Sequence, residues 1–138
     1  MYMGYIVYLF IHSIYIYLCM FLCSQVKHVT GGWRHTAAVT SDGRLFSWGW
    51  NRFGQLGLGH LVDMHKPTLV SPTLVPGAVA MVACGWRHTV AATESGAVYA
   101  WGRGVNGQLG LGINEDVYAP AQLQSMLCQA VKFFSKLS

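Results

Sequence analysis

The chain has 138 residues, nine Lys and Arg against five Asp and Glu, a net charge of +4 and only 10% charged side chains. With 16 glycines and 13% aromatic residues it does not read as a disordered tail; it suits short, packed strands joined by glycine turns. The basic excess is mild: it favours an acidic partner weakly and does not select nucleic acid over protein.

Residues 2–23 come first and form a run without a charged side chain, in which only His12 can acquire one. Its 22 residues are long enough to cross a bilayer as a helix, which takes about 20 apolar residues. No Lys or Arg precedes it and no small-x-small cleavage site follows, so it is a poor signal peptide. Three readings stand open: a membrane anchor, a strand region of an incomplete blade, and translated non-coding sequence joined to a truncated reading frame. The third is preferred, because the rest of the chain also reads as a fragment. Cys19, Cys23, Cys84 and Cys128 form no CxxC pair and no regular framework, which favours reduced, buried thiols over disulfides or zinc.

From residue 26 the chain repeats itself. A shift of 53 residues lays Gly32-Trp33-Arg34-His35-Thr36 on Gly85-Trp86-Arg87-His88-Thr89, and Trp48-Gly49 on Trp101-Gly102. The same shift lays Gly54-Gln55-Leu56-Gly57-Leu58-Gly59 on Gly107-Gln108-Leu109-Gly110-Leu111-Gly112, with Asp63 and Pro67 on Asp116 and Pro120. Without a gap, 21 of 53 positions are identical. The expected organisation is a hydrophobic segment (1–25), repeat 1 (26–78), repeat 2 (79–131) and the start of a truncated third repeat (132–138).

Each repeat reads as a small antiparallel sheet. Residues 35–40 and 45–48 are apolar strands around the turn Ser41-Asp42-Gly43, and residues 91–93 and 98–101 flank Glu94-Ser95-Gly96. The glycine-rich hexapeptide is expected to be a loop with close backbone approach. Such a sheet cannot bury both faces alone and must stack on neighbours, as propeller blades do. Two blades without further copies predict open stacking faces and a marginal, sticky fold.

These motifs resemble the regulator-of-chromosome-condensation repeats, and the Gly-Trp-Arg-His-Thr pair is similar to the plant ultraviolet-B photoreceptor branch of that family. The resemblance covers residues 26–138. It implies an all-β fold: a partial β-propeller of two blades plus a stub, preceded by the hydrophobic N-terminal segment. It also implies light sensing by clustered tryptophans without a bound pigment, and signalling by protein–protein interaction rather than catalysis. By matched position, Trp33 and Trp86 correspond to sensing tryptophans. Arg34, Arg52, Arg87 and Arg103 correspond to basic interface positions, and Trp48, Trp50 and Trp101 to tryptophans packed between blades. The implied partners are a second copy in a homodimer and a photomorphogenesis ubiquitin ligase. The implied location is nucleus and cytosol. A generic propeller interaction module, associated with chromatin or with ubiquitin ligases, is the alternative; a membrane location would rest on residues 2–23 alone.

The residue types support part of this without the family. An Arg guanidinium stacks on an indole face and also bridges to a carboxylate, the cation–π part being worth about 0.5–2 kcal/mol. His35 and His88 recur at one repeat position, which suits a hydrogen-bonded structural role. No acid or nucleophile is placed to build a triad, and no metal motif appears. Gly102-Arg103-Gly104-Val105-Asn106-Gly107 has the GxGxxG form but lacks a following helix pattern and a ribose-binding acid, so it is not read as a dinucleotide site.

Overall fold

The computed structural model describes residues 25–124. The hydrophobic run 2–23 and the 132–138 stub lie outside those residues, and so do the anchor and third-repeat readings attached to them. Among the described residues no helix is long and apolar enough to cross a membrane.

The described chain consists of β1 (Val26–Gly31), β2 (His35–Thr40), β3 (Leu45–Gly49), β4 (Met64–Leu69), β5 (Val79–Cys84), β6 (His88–Thr93), β7 (Val98–Gly102) and β8 (Val117–Gln122). They form two antiparallel four-stranded sheets, ordered β1-β2-β3-β4 and β5-β6-β7-β8. Corresponding strands start 53 residues apart, so the sequence period is the structural period. The tight turn between β2 and β3 needs Gly43 at φ 82°, where its N–H donates to the Thr40 carbonyl at 2.9 Å. Gly96 repeats this between β6 and β7 at φ 91°. Both outer strands, β4 and β8, carry a proline. Pro67 and Pro120 fall where the ladder register slips, so their missing N–H groups cost no ladder bond.

The two sheets stack face to face through one core. Ala37, Val39 and Leu45 of blade 1 meet Val79, Val82, Ala91, Tyr99 and Trp101 of blade 2, and every one of them is at most 6% exposed. Side chains at 37 and 39 face blade 2 because strand side chains alternate. Polar bonds fix the stacking. Val79 N–H donates to the Gly43 carbonyl at 2.9 Å and Gly59 N–H to the Tyr118 carbonyl at 2.9 Å, while the His28 ring meets the Val82 carbonyl at 3.0 Å. The blades are therefore one packed unit.

The outward faces differ from the sequence expectation: neither is bare. Ala38 and Trp48 on blade 1, and Val90 and Ala100 on blade 2, are all buried. On blade 2 Leu109 and Leu111 of the glycine loop, with Val117 and Leu123, pack against Val90, Val98 and Ala100.

Candidate functional site

The corner between β1 and β2 places two functional side chains. Gly32 N–H donates to the His35 carbonyl at 2.8 Å, which turns the chain sharply and leaves Trp33 and Arg34 at the tip. Gly85 and His88 repeat the bond at 2.9 Å and present Trp86 and Arg87. Glycine is required at both corners: a Cβ on Gly32 would collide with the His35 ring, and one on Gly85 with the His88 ring. The two tips are joined by Trp33 N–H donating to the Trp86 carbonyl at 3.2 Å.

This brings the aromatic rings into one array. Trp33 stacks on Trp86 with centroids 5.8 Å apart and planes 25° apart. Trp50 meets Trp33 edge-on at 5.5 Å and 82°, and Phe53 meets Trp50 edge-on at 5.4 Å and 85°. Such offset and edge contacts are the favoured aromatic geometries. Trp86 is 66% exposed, so the outer end of the stack faces solvent.

Three guanidinium groups lie among these rings. Arg34 sits 4.5 Å from the Trp33 centroid and 5.8 Å from that of Trp50. Arg87 lies 5.1 Å from Trp33 and 5.3 Å from Phe53, and Arg103 lies 4.3 Å from Phe53. Among the described residues none of these arginines pairs with a carboxylate; the ion pair there is Arg44 with Asp42 at 2.8 Å. The loop acids are otherwise engaged. Asp63 accepts the Asn51 N–H at 2.8 Å and Asp116 the Gly104 N–H at 3.0 Å. The Nε of Arg87 is buried without a hydrogen-bond partner. The array is thus a cationic, aromatic surface whose donors remain available to an acid from outside the described residues.

Other predicted positions fall elsewhere. Trp48 and Trp101 are fully buried, and Trp101 Nε1 donates to the Gln55 carbonyl at 2.9 Å across the blades. Trp50 is not a blade-core residue: it lies one position past the end of β3, is half-buried, and belongs to the surface array. Arg52 is exposed and makes no ring contact among the described residues. Phe53 is a member that sequence reasoning missed. Its repeat equivalent is Asn106, so periodicity gave no signal for it.

Beneath the tips His35 is 2% exposed, and its Nε2 lies 2.9 Å from Thr89 Oγ1. The Thr89 hydroxyl donates to the Gln55 carbonyl at 2.7 Å, so His35 Nε2 is the donor toward Thr89 and Nδ1 carries the lone pair. That Nδ1 is buried without a partner. Burial lowers the His35 pKa to about 4. His88 is also lowered, by the same cause. Burial pushes the Cys84 thiol up to about 12, so it is an inert thiol at neutral pH.

The histidine predicts an acid response. An unfolded His35 binds a proton below about pH 6.5, whereas the folded one resists until about pH 4, so the unfolded state holds more protons in that window and stability falls with pH. Each pH unit is worth about 1.4 kcal/mol, so the loss reaches about 3 kcal/mol. Thermal unfolding measured from pH 7 to pH 4 should show this decline, and His35→Gln should make it shallower, with His88 contributing the remainder. A wild-type melting temperature independent of pH in that range would contradict it.

Among the described residues no group of three His, Cys, Asp or Glu side chains could hold a metal ion. Family comparison then places the chain. The model of the regulator of chromosome condensation (RCC1) repeat matches residues 42–92 and 95–134, and a second RCC1 repeat model matches residues 26–55 and 79–108. The chain belongs to the RCC1 repeat family. It is 49% identical over 105 residues to the ultraviolet-B receptor UVR8 of Arabidopsis thaliana, covering 75% of this chain and 23% of that protein. It is 38% identical over 113 residues to the probable E3 ubiquitin-protein ligase HERC4 of Mus musculus, covering 79% of this chain and 10% of the relative. The X-linked retinitis pigmentosa GTPase regulator of Homo sapiens is 46% identical over 89 residues, 64% of this chain and 9% of that protein. The chain thus spans a quarter or less of the length of these relatives.

The fold agrees. Human WBSCR16 superposes with a TM-score of 0.68 at 30% identity, covering 73% of this chain and 26% of that one. Prp20p of Saccharomyces cerevisiae, described with its binding to Gsp1p and histones, superposes at 0.68 and 24% identity, covering 77% of this chain and 27% of that one. The RCC1-repeat assignment and, for the described residues, the all-β fold of two blades are therefore established.

Proposed function

We propose that the two blades are part of an ultraviolet-B-sensing propeller, in which the Trp33–Trp86–Trp50 array is the chromophore and Arg34, Arg87 and Arg103 form its protein interface. The observation that carries this reading is the stack of Trp33 on Trp86 at 5.8 Å with two guanidinium groups within 5.1 Å of the Trp33 ring centre. Tryptophan absorbs at the longest ultraviolet wavelengths of the ordinary side chains, so in this reading the array serves as chromophore without a bound pigment. Light shifts an assembly only if excitation changes contacts that hold one state together, and here the cation–π contacts are shared by chromophore and interface. The 49% identity to the ultraviolet-B receptor over three-quarters of the chain supports the same reading.

The partner surface is acidic: a second subunit carrying the blades that supply carboxylates. A photomorphogenesis ubiquitin ligase is the signalling partner in this reading, and nucleus and cytosol are its location. The described residues contain no carboxylate placed to meet these arginines. The isolated chain should therefore absorb ultraviolet-B light without changing its oligomeric state.

The test is a graft of residues 26–131 in place of the matching blades of a complete receptor, followed by gel filtration before and after narrow-band illumination. The graft should respond, Trp33→Phe should reduce the response strongly, and Arg52→Ala should leave it intact, because Arg52 stands outside the array. A graft that assembles yet ignores light, or responds equally with Trp33→Phe, leaves the interaction module without photoreception.

A further inference from the structure

The tips that carry Trp33 and Trp86 belong to different blades, so their stacking depends on how the two corners are held together. One main-chain bond, Trp33 N–H to the Trp86 carbonyl, is long at 3.2 Å. It cannot by itself fix the relative tilt of two indoles that rotate about their own side-chain bonds. Beneath it lies a shorter, buried connection. His35 closes the turn of the first corner through its carbonyl, and its ring packs directly under Gly32. The same ring reaches Thr89 Oγ1 at 2.9 Å, three residues beyond Trp86 on β6. Thr89 is fully buried and is itself tied to the Gln55 carbonyl at 2.7 Å, which also takes the Trp101 Nε1 proton at 2.9 Å. Each polar proton in this chain has one acceptor, so the arrangement has a single direction and little freedom.

We propose that His35, hydrogen-bonded to Thr89, is the positioning residue that holds Trp33 and Trp86 ring on ring across the two blades. The link acts at one remove: neither His35 nor Thr89 is part of the ring array. It ties the base of the first corner to the strand that leaves the second. The role in sensing rests on the proposed photoreceptor function, whereas the positioning itself is a property of the stack.

Two indoles at this separation couple their electronic transitions, and the resulting split circular-dichroism band depends on distance and tilt. The full chain serves for the measurement. Trp86→Phe defines the part of the band that comes from the Trp33–Trp86 pair, leaving the Trp33–Trp50 part in place. Thr89→Val keeps the volume and removes the hydroxyl; it should lose the greater part of the Trp86-dependent band while staying folded. Thr89→Ser restores the hydroxyl and should restore the band. A folded Thr89→Val with the band undiminished, or a Thr89→Ser that loses as much as Thr89→Val, overturns the proposal. If Thr89→Val does not fold, His35→Asn, whose amide stops short of Thr89, is measured by the same criterion: a retained band overturns the proposal, a lost one supports it. An intact band in a grafted receptor that ignores light would count against photoreception and not against the positioning role.

Discussion

Gly57→Ala is expected to unfold the blade pair or bring it close to unfolding. Gly57 has φ +69°, a left-handed conformation that costs an L-residue about 1–2 kcal/mol. Its missing Cβ is the space that Trp101 occupies: a Cβ there would lie 2.6 Å from Trp101 Nε1 and 2.8 Å from Cε2. Trp101 cannot retreat, since it is fully buried in the inter-blade core and bonded to the Gln55 carbonyl. Forcing a methyl into such packing adds about 1–3 kcal/mol. The sum is about 2–5 kcal/mol, a large share of the 5–15 kcal/mol typical of a whole domain. Gly59→Ala is the control. Its φ is +81° but nothing lies within 4 Å of the built Cβ, so only the backbone term applies. Urea denaturation of the two variants should separate them clearly; equal losses would show that the wedge against Trp101 does not matter.

Asn51→Leu should have an effect of the same order for a different reason. Asn51 is fully buried and organises the long connection between β3 and β4. Its Nδ2 donates to the His60 and Val62 carbonyls at 2.8 and 3.0 Å, and its Oδ1 accepts the Leu56 N–H at 3.0 Å. Leucine has similar size but leaves up to three backbone groups without their partners, at about 1–3 kcal/mol for each that stays buried. Leu56 also anchors the hexapeptide loop, because its carbonyl accepts the Ser47 hydroxyl at 2.6 Å. The loss should therefore spread to the Gln55–Trp101 contact and appear as a shift of Trp101 fluorescence before global unfolding. A variant as stable as wild type, with unshifted emission, would contradict this.

Much of this architecture is legible in the chain because one physical unit is written twice. The 53-residue shift locates both sheets, and Gly43 and Gly96 mark the hairpins. The inner strands β2, β3, β6 and β7 show as apolar, β-branched runs because they are buried on both faces. The edge strands do not. Met64–Leu69 carries His, Lys and Pro, since an outer strand needs few ladder bonds and faces water.

The site divides in the same way. Trp33, Trp86, Arg34 and Arg87 repeat and could be placed on one face. Arg103 could be named but its neighbour Phe53 could not, because nothing at the equivalent position repeats that ring. The family resemblance implies a core place for Trp50 beside Trp48, two residues earlier on the chain. Gly49, at φ 111°, ends the strand between them, and Trp50 leaves for the surface array instead. A periodic pattern shows what each blade has in common; it is silent on contacts that only one blade makes.

The central claim is that the tryptophans of this array are themselves the light sensor. An action spectrum of light-induced dissociation, taken on the receptor carrying residues 26–131 of this chain, tests it most directly. The response should follow indole absorption and fall strongly in Trp33→Phe, while Trp33→Phe remains assembled in the dark. A response that follows a longer-wavelength spectrum, or one that is unchanged in Trp33→Phe, would contradict it.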